Sequence, residues 1–267
     1  MKSIVSLILA MLVCLMPMSG FAEAAEERLA ERDARLQAAL NPPVSDKPTH
    51  ITVGNTTKVN GAFFTTSFGN NTSDIDVRTM LHGYSPVVWS DQLRFIVDPM
   101  VVSDMRRDES SPATITITLN RDLVYCDGET PLTARDYVFS WLLMSSPEMA
   151  AIGAKTPALN VRGFDEYHSG EAQVFSGVRL LGDYQFSLTL IEGYENYFYD
   201  LAQIDLEPYP ISVLAPGCAV ADDGQGAYIT NEDPGVESPV FTAELLEQTI
   251  LDPETGYLSH PMLTGGP

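Results

Sequence analysis

Beyond Arg179 the sequence contains no lysine or arginine at all, while Asp and Glu continue as far as Glu254. The shortage of cations runs through the whole chain: fifteen Lys and Arg stand against thirty-six Asp and Glu, for a formal charge of −21 at pH 7. A field of that sign repels phosphate backbones and anionic lipid headgroups, so nucleic acid and the membrane surface are excluded as partners. The last third is expected to have no cations of its own to pair with, leaving its acids solvated or facing something outside it.

Enzyme signatures are missing too. There is no Gly-x-Ser-x-Gly elbow, P-loop, Gly-x-Gly-x-x-Gly or His-Glu-x-x-His. His50, His82, His168 and His260 are scattered without metal-site spacing and read as surface or turn residues. Asp74-Ile75-Asp76 reads as a helix-start carboxylate pair facing the positive end of a helix dipole. Asp222 to Gly226 resembles part of a calcium loop but lacks alternating ligands and the closing Glu. No pair of carboxylates stands out for glycoside hydrolysis. The expectation is therefore no catalytic residue, no metal and no cofactor.

What is present suits a folded protein. Its 267 residues are 45% hydrophobic and 19% charged, enough for one large domain or two small ones. Residues 1–24 read as a signal peptide: Lys2, an apolar run from Ile4 to Met16, breakers at Pro17 and Gly20, then Ala22-Glu23-Ala24 as a small-x-small cleavage site. Leu12-Val13 before Cys14 does not fit a lipidation site. Export leaves Cys126 and Cys218 as an even pair in an oxidising compartment. Two readings stay open. A disulfide between them would close a loop of roughly ninety residues and add about 4 kcal/mol; otherwise they are separate thiols.

Residues 25–49 are charged and Ala-rich, a short helix or tether stopped at Pro42-Pro43. Ile51 to Val53 is expected as a strand, followed by a polar Gly/Asn stretch. Ser73 or Asp74 is expected to cap a helix burying Val77, Met80, Leu81 and Tyr84. Strict alternation predicts a strand over Thr114–Leu119 with Ile115, Ile117 and Leu119 inward. Leu123 to Leu132 is expected as a strand running into an Asp127-Gly128 turn. Thr133 and Asp136 form a capping-box start for a nearly fully buried helix from Ala134 to Met144. A hairpin follows over residues 178–190, then a Tyr-rich helix over Tyr194–Ile204, an acidic Gly-rich loop over Asp222–Glu237 and a short helix over Thr242–Leu251. Strands and helices mix without βαβ regularity, so the class is α+β.

The run from Thr116 to Leu143 carries a recognisable pattern. After a strand come Asp127-Gly128, Pro131-Leu132-Thr133-Ala134, Asp136 and Phe139-Ser140. This resembles the signature of the family 5 extracellular solute-binding proteins, the peptide-binding components of ABC importers. Tyr137 stands where Val is usual, and Cys126 where His, Ser or Thr is common. The Asn60-Gly61 stretch, the helix near Asp74 and the tail Leu263 to Pro267 fit the same family.

The resemblance implies an α+β chain forming part of the first lobe of a two-lobed periplasmic-binding-protein-like fold with mixed sheets. Residues 50–267 would be a partial lobe I and the second lobe absent, because the family's Gly-Pro-Tyr motif leads into further strands and a second lobe. It also implies an exported monomer, periplasmic or at the cell surface, that binds a peptide and delivers it to a membrane permease without catalysis. By resemblance, Val59, Asn60, Gly61, Phe63 and Phe64 would contact ligand, the segment pairing with the peptide backbone as an added strand. Gly61 permits close approach, and Asn60 offers donor and acceptor. Equally, Phe63 and Phe64 read as plain core and Asn60-Gly61 as a plain turn. Alternatives are a same-family binder of an oligosaccharide or metal chelate, an exported glycan or peptide hydrolase, and a surface interaction module.

Overall fold

The computed structural model describes residues 52, 54, 55, 57–108, 112–156, 159–194 and 200–265. The expected leader, the 25–49 segment, the Ile51–Val53 strand, Tyr197, Tyr199 and the final Gly266-Pro267 lie outside them. The chain divides into units Met1–Gly54 and Asn55–Pro267, and the elements that follow all belong to the second.

In chain order they are a 3-10 turn (Thr66–Phe68), α1 (Thr72–Leu81), β1 (Val87–Trp89), β2 (Phe95–Val97), β3 (Val102–Asp108), β4 (Thr114–Leu119), α2 (Ala134–Ser145), α3 (Pro147–Ala151), α4 (Phe164–His168), β5 (Val178–Gly182) and β6 (Gln185–Thr189). A 3-10 segment (Asp200–Ile204), α5 (Ile211–Leu214), β7 (Cys218–Asp222), β8 (Ala227–Asn231), α6 (Ala243–Leu246) and a π-turn (Glu247–Leu251) complete the unit. The class is α+β. Among the described residues the named strand pairings are antiparallel.

A four-stranded sheet in the order β3-β4-β6-β5 carries the core. The alternation in β4 does what period two requires: Ile115, Ile117 and Leu119 are all but fully buried. In register across β6, Leu188 lies opposite Ile115 and Phe186 opposite Ile117. Tyr137 of α2 stacks on Phe186 with ring centroids 5.4 Å apart. Every α2 residue except Arg135 is buried.

Helix α2 begins where the capping box places it. The Thr133 hydroxyl accepts from the Arg135 N–H at 3.3 Å, and Asp136 accepts from the Thr133 N–H at 2.8 Å. Asp136 also takes a hydrogen bond from the buried Tyr125 hydroxyl at 2.8 Å, which ties the Asp127-Gly128 turn to the helix start. Inside α2, the Ser140 hydroxyl accepts from the Tyr209 N–H at 2.8 Å.

Several expectations change. The Leu123 to Leu132 stretch pairs only through an isolated bridge from Val124 to Pro131. Helix α1 is capped by Asn71, and it buries Ser73, Asp74 and Arg78 while Met80 is 66% exposed. The acidic loop after Asp222 contains β8, which closes a hairpin on β7. Of the Tyr-rich helix, residues 200–204 form a 3-10 segment.

The cysteines are both free, Cys126 exposed in its turn and Cys218 buried at the start of β7. The disulfide reading is thus replaced by separate thiols, and burial pushes the Cys218 thiol up to about 11. Nor are the late acids left without cations. Arg179 Nε donates to both oxygens of Asp222 at 3.1 and 2.8 Å, and Arg107 pairs with the buried Asp200. Both arginines reach forward from the main sheet to meet acids beyond position 179.

Candidate ligand cavity

The chain from Thr57 to Asn71 runs without strand partners for most of its length, so its backbone groups need side chains to satisfy them. Helix α1 supplies these from one face. Asp74 Oδ1 accepts from the N–H groups of Asn60 at 2.8 Å and Gly61 at 3.3 Å. Arg78 Nη1 donates to the carbonyls of Ala62, Thr65 and Gly69 at 2.8 to 3.0 Å. His82 Nε2 lies 2.9 Å from the Phe63 carbonyl. Positions 74, 78 and 82 are spaced i, i+4, i+8, one stripe of the helix and its cap. This is why α1 turns a polar face inward: an irregular segment demands hydrogen bonds that Val77 and Met80 could not provide.

On the other side, the segment is stitched to the C-terminal turns. Phe63 N–H donates to the Leu258 carbonyl at 2.7 Å, and the Ser259 hydroxyl donates to the Gly61 carbonyl at 2.8 Å. Gly61 has φ +86°, and a Cβ there would lie 3.5 Å from the Ser259 hydroxyl. The strained backbone angle, rather than lack of room, is what favours glycine.

Beyond Phe64 the segment borders a cavity of about 520 Å³. Its walls include Thr65 to Ser67, Ile75, Arg78, Thr79 and His82 on one side, Trp141 and Met144 of α2 on another, and Ala202, Gln203, Asp205 to Glu207 and Tyr209 on a third. Phe64 is 1% exposed and meets Tyr209 and Tyr257 edge-on, with ring centroids 4.7 and 5.2 Å away. Cavities of this size with an apolar lining and a few convergent polar groups are the usual form of small-ligand sites.

The polar lining is perturbed by its burial. Arg78 is held below the ordinary guanidinium range by desolvation, which Asp74 partly offsets. His82 is lowered first by burial and further by Arg78, against the hydrogen bond to Phe63. Burial raises Glu207, with Asp205 adding to it, and burial raises Asp205 as well. Buried Arg78 Nη2, His82 Nδ1 and Asp74 Oδ2 have no hydrogen-bond partner. His82 is therefore not the surface residue the sequence suggested; it is 7% exposed at the back of this cavity.

Of the five residues the resemblance assigns to ligand, only Phe64 lines the cavity. Val59 is exposed, Asn60 and Gly61 spend their N–H groups on Asp74, and Phe63 spends its own on Leu258. A peptide adding as a strand here would meet donors the fold already uses. The residues that sequence reasoning missed are Arg78, His82, Asp205 and Glu207. The i, i+4, i+8 stripe of Asp74, Arg78 and His82 is the signal that marks the first two.

No family model matches the chain. The oligopeptide-binding protein OppA of Lactococcus lactis subsp. lactis (strain IL1403) is 38% identical over 65 residues, which are 24% of this chain and 11% of that protein. OppA of Lactococcus lactis subsp. cremoris (strain SK11) is 34% identical over 76 residues, 28% of this chain and 12% of its own length. Over that part of its length, the chain is similar to oligopeptide-binding proteins. The matched stretch spans only about a ninth of those relatives. Among solved structures, lactococcal OppA complexed with an endogenous peptide in the closed conformation overlaps 58% of this chain and 29% of its own, at 25% identity and a TM-score of 0.47. Listeria monocytogenes OppA bound to peptide overlaps 62% and 35%, at 14% identity and a TM-score of 0.43.

Proposed function

We propose that this chain forms ligand-contacting structure of the extracytoplasmic, peptide-binding component of an ABC importer. The described unit is then part of the first lobe. The leader exports the protein, it works as a monomer without catalysis, and it delivers its ligand to a permease. No described helix is long and apolar enough to cross a membrane.

One observation carries the proposal. A cavity of about 520 Å³, lined by Arg78, His82, Asp205 and Glu207 among apolar and aromatic side chains, lies beside Phe64, in a chain similar over part of its length to oligopeptide-binding proteins. The ligand is held in that cavity, beside Phe64, rather than by strand addition along Val59 to Phe63. A cavity of this size takes only a few atoms of a peptide, so affinity should be weak, with dissociation constants on the order of a millimolar. Isothermal titration with short unblocked peptides tests this. Heat that saturates for the wild type and disappears in Ala202→Trp, which fills the cavity, supports the proposal. Binding that survives Ala202→Trp, or no binding at millimolar peptide, contradicts it.

A further inference from the structure

A second cavity, of about 410 Å³, lies between α3, α4, β8 and the loop after β8, and shares no lining residue with the one beside Phe64. Glu148 of α3 and Glu237 of the loop line it, and no lysine, arginine or histidine does. Neither glutamate forms an ion pair among the described residues. Asn231 of β8 pins the loop: Nδ2 donates to the carbonyls of Val236 and Ser238 at 2.8 and 2.9 Å, and Oδ1 accepts from the Val240 N–H at 2.9 Å. Tyr167 of α4 stacks its ring on Phe175, with centroids 5.1 Å apart, and is only 5% exposed. Its hydroxyl nevertheless has no hydrogen-bond partner among the described residues and, unlike that of Tyr257, is not sealed from solvent. The opening it reaches is this cavity. Burial raises both the Glu148 carboxyl and the Tyr167 hydroxyl, and the charge of Glu148 adds to the latter, so the two groups lie near each other without bonding. A half-buried carboxylate with no counter-charge, beside an unpaired phenol, leaves one requirement unmet: a cation that donates hydrogen bonds.

We propose that this cavity binds the primary ammonium group of a small alkylamine: its N–H groups donate to the Glu148 carboxylate and the Tyr167 oxygen, Glu237 adds a second negative charge from the exposed side, and Tyr228 and Phe241 cover the alkyl chain. The inference stands apart from the peptide-binding reading, because it uses a different cavity and none of the same residues. An anion would meet two carboxylates and no cation. A neutral alcohol bonds to Tyr167 but brings no charge for Glu148. A quaternary ammonium brings the charge but has no hydrogen for the Tyr167 oxygen. A metal ion needs several converging ligands, and among the described residues no three His, Cys, Asp or Glu come together to hold one. The primary ammonium meets both polar groups at once, and its chain uses aromatic lining that a hydrated ion would waste.

The test titrates the whole chain, labelled with ¹⁵N, with n-butylammonium, tetramethylammonium, n-butanol and butyrate. Butylammonium is expected to shift the amides of Tyr228, Asn231 and Phe241 along one saturating curve. It should bind roughly tenfold more tightly than each of the other three probes. Glu148→Gln should weaken it by roughly tenfold, and Tyr167→Phe, which keeps the ring against Phe175, by roughly threefold. Both residues are packed into the fold, so Glu237→Gln on the exposed loop serves as a further arm. It should weaken binding by roughly threefold and leave the thermal melt unchanged. Ala202→Trp, which fills the other cavity, should leave butylammonium affinity as it is. Any of the other probes binding as tightly as butylammonium, full affinity in any of the three cavity variants, or lost affinity in Ala202→Trp would each overturn the inference. So would shifts scattered over the acidic surface instead of gathered at the cavity.

Discussion

Asp136 accepts three hydrogen bonds, two from the N–H and hydroxyl of Thr133 at the helix start and one from the Tyr125 hydroxyl before the Asp127-Gly128 turn. Asp136→Ala removes the capping box and strands a buried phenol, and should lower stability by about 2 kcal/mol, read as a lower denaturant midpoint. Asp136→Asn, which keeps an acceptor, should lose less. At the other end of the chain, burial pushes Asp222 up. The hydrogen bonds from Arg179, Gly224 and Leu180 outweigh it and hold the carboxyl below its ordinary value. A depressed carboxylate stabilises the fold above its unfolded pKa of about 4, and that contribution is lost as pH falls through the lower folded value. Stability measured by urea unfolding should therefore drop below about pH 4. Arg179→Met should lower stability at neutral pH and flatten that part of the acid dependence. Identical acid profiles for wild type and variant would contradict the pairing.

At the scale of elements, legibility followed the strength of local pattern. Strand β4 alternates apolar and β-branched polar residues without a break, and α2 carries both a cap and a continuous apolar body, so both were readable to within a residue. Strand β3 was not, since Asp104, Arg106, Arg107 and Asp108 crowd its seven residues. It lies at the sheet edge, where charge guards an unpaired ladder and masks the pattern. Strand β8 was hidden by the Asp and Gly residues before it. Helix α1 was placed within two residues but turned to the wrong face, because its orientation is set by the hydrogen-bonding needs of a distant segment. Close packing between elements makes its own prediction. A Cβ on Gly177 would sit 2.3 Å from the Arg162 carbonyl oxygen and 2.7 Å from Val161 Cγ1. Gly177→Ala should cost about 1–3 kcal/mol in thermal or chemical unfolding, while Gly182→Ala, with open space around it, should cost far less.

For the molecule as a whole, the charge imbalance that dominates the sequence proves to be partly internal: two arginines from the sheet hold acids from the cation-free region. The candidate cavity was legible only at its border. Phe64 was singled out, but its role is to close one side of a cavity whose polar wall is built by Arg78 and His82, brought there by the folding of an irregular loop around α1. Sequence spacing could suggest the stripe; only the path of residues 57–71 shows which way it points. The central claim is that this cavity receives peptide, and backbone amide mapping tests it most directly. Titrating the ¹⁵N-labelled chain with the tripeptide Ala-Gln-Ala should shift the amides of Thr65, Ser67, Thr79 and Gln203 together, along one saturating curve. Shifts confined to residues away from the cavity, or none at millimolar peptide, would contradict it.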